Sequence, residues 1–471
     1  MTSAIVVGSG PNGLSAALTL ARSGIEVTVL EAAAQPGGGA RSAEATLPGL
    51  LHDECSGFHP LAVDNAFSRS VDLAAHGLAW EWPEIQYAHP LDHGGASAVR
   101  DVFATSRTLF DDGSAWARVF GTAAGDFRGL TDDLLRPMLR MPGNPASLAR
   151  LGASAGLPAS VLARSWTTAE ARALFAGVAA HAFRPLDSLA SSAVGVVLGS
   201  AAHACGWPVA RGGSQSIVEA MIRALLGLGG RVETGIKVSA LSELPPADLV
   251  LLDTSPAAAA IAGERMPGRI ARAYRRYIHG PGAFTVSFAV EGGIPWSFEP
   301  AFRAGTVHLG GTFEEIAAAE RMVHLGRMPE RPFVLLGQQY VADPSRSAGG
   351  IVPIDAYAHV PAGFDGDALP ALVAQIERFA PGFRERILAT AVRSTAALEA
   401  GNPNLVRGDI VGGANSALQL LFRPRPAGDP YSTGVPGVYL CSSATPPGAG
   451  AHGMCGFNAA QSALAGLRRR G

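Results

Sequence analysis

The sequence predicts an α/β fold in which a parallel-sheet domain carries an inserted α+β layer. Three observations carry that expectation. A β-branched run at 4–7 leads into a glycine-rich turn, GSGPNGL (8–14), and then into apolar residues at helical spacing. A second glycine cluster, PGGGARS (36–42), follows the next strand. At the other end, VYLCSSATPPGAGAHGMCGFNAA (438–460) again passes from strand to glycine loop to a helix of small residues.

Each element has a local reason. The run AIVV reads as a buried parallel strand. Gly8, Gly10 and Gly13 spell G-x-G-x-x-G, with Pro11 and Asn12 completing the turn. The first glycine permits the tight turn, the second lets a pyrophosphate approach the backbone, and the third lets helix and strand pack closely. Residues 12–23 place Leu14, Ala17, Leu18 and Ala21 on one helical face, with Gly24 as the cap. The strand EVTVL then ends at Glu31, 18 residues after Gly13. A carboxylate about 20 residues on meets ribose hydroxyls and disfavours a 2′-phosphate. Strand, turn, helix, strand and acid in order describe a Rossmann-type dinucleotide unit.

Composition bounds the rest. The chain has 471 residues, enough for two or three domains, with 48% apolar and only 16% charged residues. A large core or a greasy cavity produces that balance, and peripheral membrane contact is left open. The net charge of −2 speaks against nucleic acid as a partner. Four cysteines without a C-x-x-C pair fit a reducing compartment and speak against a structural zinc site, and no metal is expected. The stretch 193–202 is half the length of a spanning helix. With a strand starting beside Met1, the expectation is a cytoplasmic protein.

The second glycine cluster makes a backbone surface for a cofactor longer than the adenosine end alone. GSGPNGL, VLEA and PGGGARS together resemble the amino-terminal signature of flavoproteins of the phytoene-desaturase and flavin amine-oxidase type. The resemblance extends to the branch of pyridine nucleotide-disulphide oxidoreductase domain 2 proteins. YLCS, PGAG and GFNAA at the carboxyl end, WPVARGGSQSIVEAM (207–221), PNLVRGDI (403–410) and FRPRP (422–426) carry it. It implies a glutathione reductase-like FAD domain from 1–75, 205–285 and 400–471, with a substrate domain from 76–204 and 286–399. It implies FAD contacts at Gly38, Gly39, Ala40, Arg41 and Ser42, and Val238 against the adenine. Ser442, Ser443, Gly453, Met454, Cys455 and Asn458 would cradle the flavin. Ser442 stands where the family usually has glycine.

No second G-x-G-x-x-G unit appears, since GLGG (227–230) has the wrong spacing, so NAD(P)H is not an obligatory partner. Lys237 is the only lysine and is placed in the strand expected over 229–238, so a lysine-held water beside the flavin is not available. Strands are also expected over 284–290 and 333–341. His452, in AHGMCG, is the first candidate to accept a proton or orient a substrate, or else a hydrogen-bonded histidine without chemistry. His59 and Asp64 follow as candidates. Cys455 is a covalent tether or a small buried hydrophobe.

The resulting expectation is an FAD-dependent oxidoreductase that desaturates an apolar small molecule, passing hydride to flavin N5 and electrons to oxygen, a quinone or another acceptor. The alternatives are C–N oxidation of an amine, saturation or isomerisation of a polyene by reduced FAD, and a non-catalytic lipid or prenyl carrier.

Overall fold

The computed structural model describes residues 2–469, and two sheets divide them. The smaller sheet has five parallel strands in the order Val438–Leu440, Leu249–Leu252, Ser3–Val7, Glu26–Leu30, Arg231–Glu233. The chain's two ends therefore lie in one sheet, separated by a single strand. Helix Pro11–Ala21 is buried along its whole length, between helix Gln215–Gly227 and helix Met454–Arg468. Its neighbours explain the small-residue composition. Leu14, Leu18, Ile217, Met221, Ala459 and Ala463 share one core with the strands beneath.

The larger sheet has seven strands in the order Ile387–Arg393, Gly282–Glu291, Ile351–Val360, Val334–Gly337, Ala304–Leu309, Ile85–Pro90, Gly95–Val99. All its pairs are antiparallel except Ile85–Pro90 with Ala304–Leu309. Helices Gly113–Gly125, Pro145–Ala155, Ala169–Ala180 and Ser192–Ala204 cover part of it through a core of Trp116, Phe120, Trp166 and Phe175. The fold is thus the α/β arrangement with a second, mixed layer that the sequence predicts. Strand Gly282–Glu291 lies wholly in the larger sheet and straddles residue 285, where the sequence division places a boundary.

Two expected strands are shorter than the sequence suggests. The run at 229–238 forms a strand only at Arg231–Glu233, at the edge of the smaller sheet. Its continuation leaves the sheet because Gly235 N donates to Ala33 O and Ile236 N to Glu31 O, drawing it across the end of the neighbouring strand. Lys237 accordingly lies in that exposed crossing and not in a strand. The run at 333–341 pairs only over Val334–Gly337, after which a single helical turn begins at Gln339.

Candidate functional site

One cavity of about 1300 Å³ joins the two layers. One end is built by the glycine turn. Gly8 N donates to Leu30 O at 2.8 Å, closing the turn on the second strand. Ser9 then donates from both its amide and its hydroxyl to Glu31 Oε2, at 2.8 and 2.6 Å. Glu31 Oε1 accepts from Ala33 N, and Ser9 Oγ accepts from Gly37 N, so the ribose-site acid also ties the two glycine clusters together. A Cβ on Gly13 would stand 2.1 Å from Gly8 O, and one on Gly38 3.1 Å from Gly10 Cα. Only glycines allow that approach. Helix Pro11–Ala21 begins at Gly10 with no side chain capping it, leaving its amide end and dipole toward the cavity wall formed by Gly10, Pro11 and Asn12.

Beneath this turn sits Asp253, whose Oδ2 accepts from Gly13 N at 2.9 Å. Burial lifts its carboxyl to about 7; the Gly13 hydrogen bond opposes that rise and the Glu31 charge adds to it. The unfolded carboxyl ionises near 3.8. Between those two values the folded state keeps a proton that the unfolded chain has lost, so stability falls as pH rises through the window. That proton's retention costs the folded state on the order of 4 kcal/mol at pH 8. Asp253→Asn keeps an acceptor for Gly13 and removes the buried charge. It is expected to melt above the wild type at pH 8, with the gap narrowing as pH falls toward 5. An equal gap at both pH values would contradict this.

The second cluster and its sequel continue the wall. Gly38, Gly39 and Ala40 line the cavity, as does Arg41, which pairs with Glu54 at 3.1 Å and donates to Gly401 O. Val238 lines it too, beside Ile236 and Lys237. Ser42 does not, because its hydroxyl is committed to Asp53 Oδ1 at 2.6 Å within the core. Asp53 in turn holds Arg346, both essentially inaccessible, at 2.6 Å. Burial pushes Asp53 up, but the Arg346 charge and the bonds from Ser214 and Ser42 outweigh it and hold the carboxyl below its usual range.

The carboxyl-terminal segment contributes Ser442, Ser443 and His452 to the lining, together with the loop at 446–451. Gly13, Gly453, Met454, Cys455 and Asn458 lie behind that surface. Helix Met454–Arg468 starts two residues earlier than its apolar spacing suggests, because His452 Nδ1 accepts from Met454 N at 3.1 Å. His452 is 2% exposed, and burial drops it to about 4, against the raising effect of the hydrogen bond it donates to the Ala449 backbone. A neutral imidazole whose lone pair already caps a helix is poorly placed to accept a proton. Cys455 is sealed, with Sγ donating to Thr445 O and Gly448 O, and burial raises its thiol to about 12. Such a thiol forms little thiolate. Asn458 does not line the cavity; its side chain donates to the backbone O of Leu135, a lining residue.

His59 lines the cavity wall. Ser214 Oγ donates to Ser56 O, so His59 Nε2 must donate to Ser214 Oγ at 2.9 Å. The remaining lone pair, on Nδ1, is sealed from solvent without a partner. Burial again holds the ring neutral, at about 4. Asp64 is outside the cavity and pairs with Arg69 at the surface.

Sequence reasoning missed Arg423, quoted in FRPRP without a role. It is 1% exposed and lines the cavity. Its guanidinium donates to Gln419 O, Ser443 O and Asn415 Oδ1, and among the described residues no carboxylate pairs with it. A buried cation without a counter-ion is costly unless an anion joins it. Beside Ser443 and Gly448, that anion fits a phosphate or an electron-rich ring. The glycine cradle, the uncapped helix end and this guanidinium together suit an elongated anionic dinucleotide.

Beyond it the cavity turns apolar. Leu148, Leu151 and Ala155 from one helix, and Ala193, Val194 and Val197 from another, form its far wall. Among the described residues no group of histidines, cysteines and acids is disposed to hold a metal, and no helix is long and apolar enough to cross a membrane.

Comparison with known proteins agrees with this geometry. Residues 6–72 match the model of the NAD(P)-binding Rossmann-like domain. Over 86 residues, 18% of this chain, the sequence is 43% identical to mouse (Mus musculus) pyridine nucleotide-disulfide oxidoreductase domain-containing protein 2; the match spans 15% of that relative's length. Residues 6–72 are thus a Rossmann-like dinucleotide-binding unit, and the chain spans about a sixth of the length of that mouse relative. It is also 27% identical over 323 residues to hydroxysqualene dehydroxylase of Rhodopseudomonas palustris (strain ATCC BAA-98 / CGA009), covering 62% of this chain and 72% of that one. The structure of putrescine oxidase bound to putrescine superposes with a TM-score of 0.61 at 18% identity, covering 98% of this chain and 99% of that one.

Proposed function

We propose that this protein is an FAD-dependent dehydrogenase that introduces a double bond into an apolar small molecule. One observation carries the reading: a single cavity runs from the glycine cradle to a wall of leucine, valine and alanine side chains, and its carboxylates are all engaged. Glu31 holds Ser9, Asp53 holds Arg346, Glu54 holds Arg41, Asp253 holds Gly13, and Asp355 holds His52. An ammonium substrate would need one of them released or a cation-binding aromatic cage. The apolar wall instead suits a hydrocarbon body, and hydroxysqualene dehydroxylase, named for a long isoprenoid-derived molecule, supports that choice.

FAD bound in the cradle would supply an acceptor for a hydride from one substrate carbon, the proton from the neighbouring carbon would leave to solvent as the double bond forms, and oxygen or a quinone would take the electrons onward. The chain's own residues do the rest. Glu31 and the glycine turn fix the ribose and phosphates, and Arg41 and Arg423 balance negative charge. Neutral His59 and His452 close the wall without adding charge. The helices at 145–155 and 192–204 would keep water from the reacting carbon, where it would add to the positive charge that develops as hydride leaves.

The test begins with the purified protein titrated with FAD, followed by its visible spectrum. Anaerobic mixing with a polyisoprenoid panel and an amine panel then reads which class bleaches the flavin absorbance. Bleaching by isoprenoids alone is the expected result. Bleaching by amines alone, with imine and peroxide formed under air, would replace the reading with amine oxidation.

A further inference from the structure

Deep in the larger sheet, four chain segments bring together histidines that the dinucleotide site does not use. His181 follows helix Ala169–Ala180, and His308 stands on strand Ala304–Leu309. Their Nε2 atoms are 2.9 Å apart and their rings nearly perpendicular, at 88°. His89 and His359 lie in the same interior; His89 binds Gly311 O and His359 pairs with Glu320 at 2.7 Å. His181 lines the cavity, and Thr306, two residues from His308 on the same strand, lines it as well.

The pair is built, not incidental. Trp207 stands edge-on to both rings, at 5.7 and 6.1 Å. Helix Ala169–Ala180 carries Gly177 where it crosses His308, and a Cβ there would approach the imidazole to 2.8 Å. His308 is inaccessible, and its Nδ1 has no partner. Burial, with His359 nearby adding to it, drops His181 to about 3, and burial among the other histidines drives His308 well down too. Both rings are therefore neutral, each with one N–H.

That proton count sets the direction of the bond. An N–H on Nδ1 of His308 would be a buried donor without an acceptor, the costlier orphan. The alternative places the hydrogen on His308 Nε2, donating to His181 Nε2. His181 then carries its own hydrogen on Nδ1, which has no acceptor among the described residues. Thr306 Oγ1, buried and unpartnered, adds a second hydroxyl-sized polar group to the same stretch of wall.

We infer that His181, oriented by His308, donates a hydrogen bond to a neutral oxygen of the substrate, so that the ligand is an apolar chain bearing a hydroxyl or carbonyl group. The inference rests on the apolar reading of the cavity and narrows it. His181 is the binding group and His308 its positioning partner. A neutral imidazole N–H rewards an oxygen acceptor and gives nothing to an ammonium, which has no lone pair to offer. It also distinguishes chains of equal length by whether they carry that oxygen, as buried polar groups do elsewhere.

The test uses the FAD-loaded full chain and three probes of equal carbon count: farnesol, its saturated hydrocarbon, and farnesylamine. Binding is read from the perturbation of the flavin spectrum under anaerobic conditions, independently of turnover. Farnesol should bind about fivefold or more tightly than the hydrocarbon, the size of one neutral hydrogen bond. The amine at pH 7 should bind no better than the hydrocarbon. His181→Phe should erase the alcohol's advantage over the hydrocarbon, and His181→Asn should restore part of it. His308→Leu should weaken the alcohol preference without contacting the probe. An alcohol advantage that survives in His181→Phe, or a preference for the amine, overturns this inference alone. Failure of the wild type to bind any of the three overturns the apolar reading and this inference with it.

Discussion

Gly456→Ala should yield a protein that melts well below the wild type and loses dinucleotide affinity. Gly456 lies in the first turn of helix Met454–Arg468, where that helix crosses helix Pro11–Ala21. A Cβ there would stand 1.7 Å from Asn12 O and 2.5 Å from Ser15 Oγ. The first obstacle is backbone, so no rotamer change relieves it. Ser15 Oγ also donates to Gly453 O across the same crossing, tying the second helix's start to the first helix. The helices must separate, at a cost of about 3 kcal/mol or more, and a separation displaces Asn12 and His452 from the cavity wall. Thermal melts with and without FAD measure both effects. Gly428→Ala, at a glycine with open space around it, is the control and should change neither. A Gly456→Ala protein with wild-type melting and FAD affinity would mean that the two termini do not meet as described.

Arg423→Met should purify with little bound flavin. The variant keeps the length of the side chain and removes the fork that reaches Gln419 O, Ser443 O and Asn415 Oδ1. Hydrogen bonds from a charged donor contribute about 1.5–3 kcal/mol each. The larger effect is on the ligand. A guanidinium with no carboxylate beside it finds its counter-charge in the bound cofactor, so FAD affinity should fall by about tenfold to a hundredfold, or about 1.4 to 2.8 kcal/mol. Arg423→Lys retains the charge and loses the fork, and it should recover only part of the affinity. Equal FAD dissociation constants for wild type and Arg423→Met, from fluorescence titration of the apoprotein, would remove Arg423 from the cofactor site.

The opening unit was legible because its information is local. Gly8, Gly10 and Gly13 are needed by a turn that closes within a few residues, and Glu31 reaches back to Ser9 over one strand. The carboxyl-terminal loop and helix were legible for the same reason, although the helix start was displaced by a cap that only His452 supplies. The candidates at His59 and His452 were recognised as cavity residues, but their hydrogen bonds assign them neutral roles. Ser42 was placed one step too close to the ligand: the polar partner that decides its direction, Asp53, belongs to a strand paired with its own. Strand lengths at 229–238 and 333–341 were overread, since β-branched runs do not announce where a sheet edge ends.

The amino-acid pattern alone determined that two glycine-rich turns and a small-residue helix build a dinucleotide cradle on a parallel sheet. Glycine spacing, capping and apolar period are properties of neighbouring residues, and they hold whatever the rest of the chain does. Tertiary structure alone decided the counter-ion-free burial of Arg423, the Asp53–Arg346 pair 293 residues apart, and the meeting of His181 with His308. Those pairings join segments distant in sequence, and their chemistry follows from desolvation. A side chain's charge and proton are set by what surrounds it after folding, which no local pattern encodes.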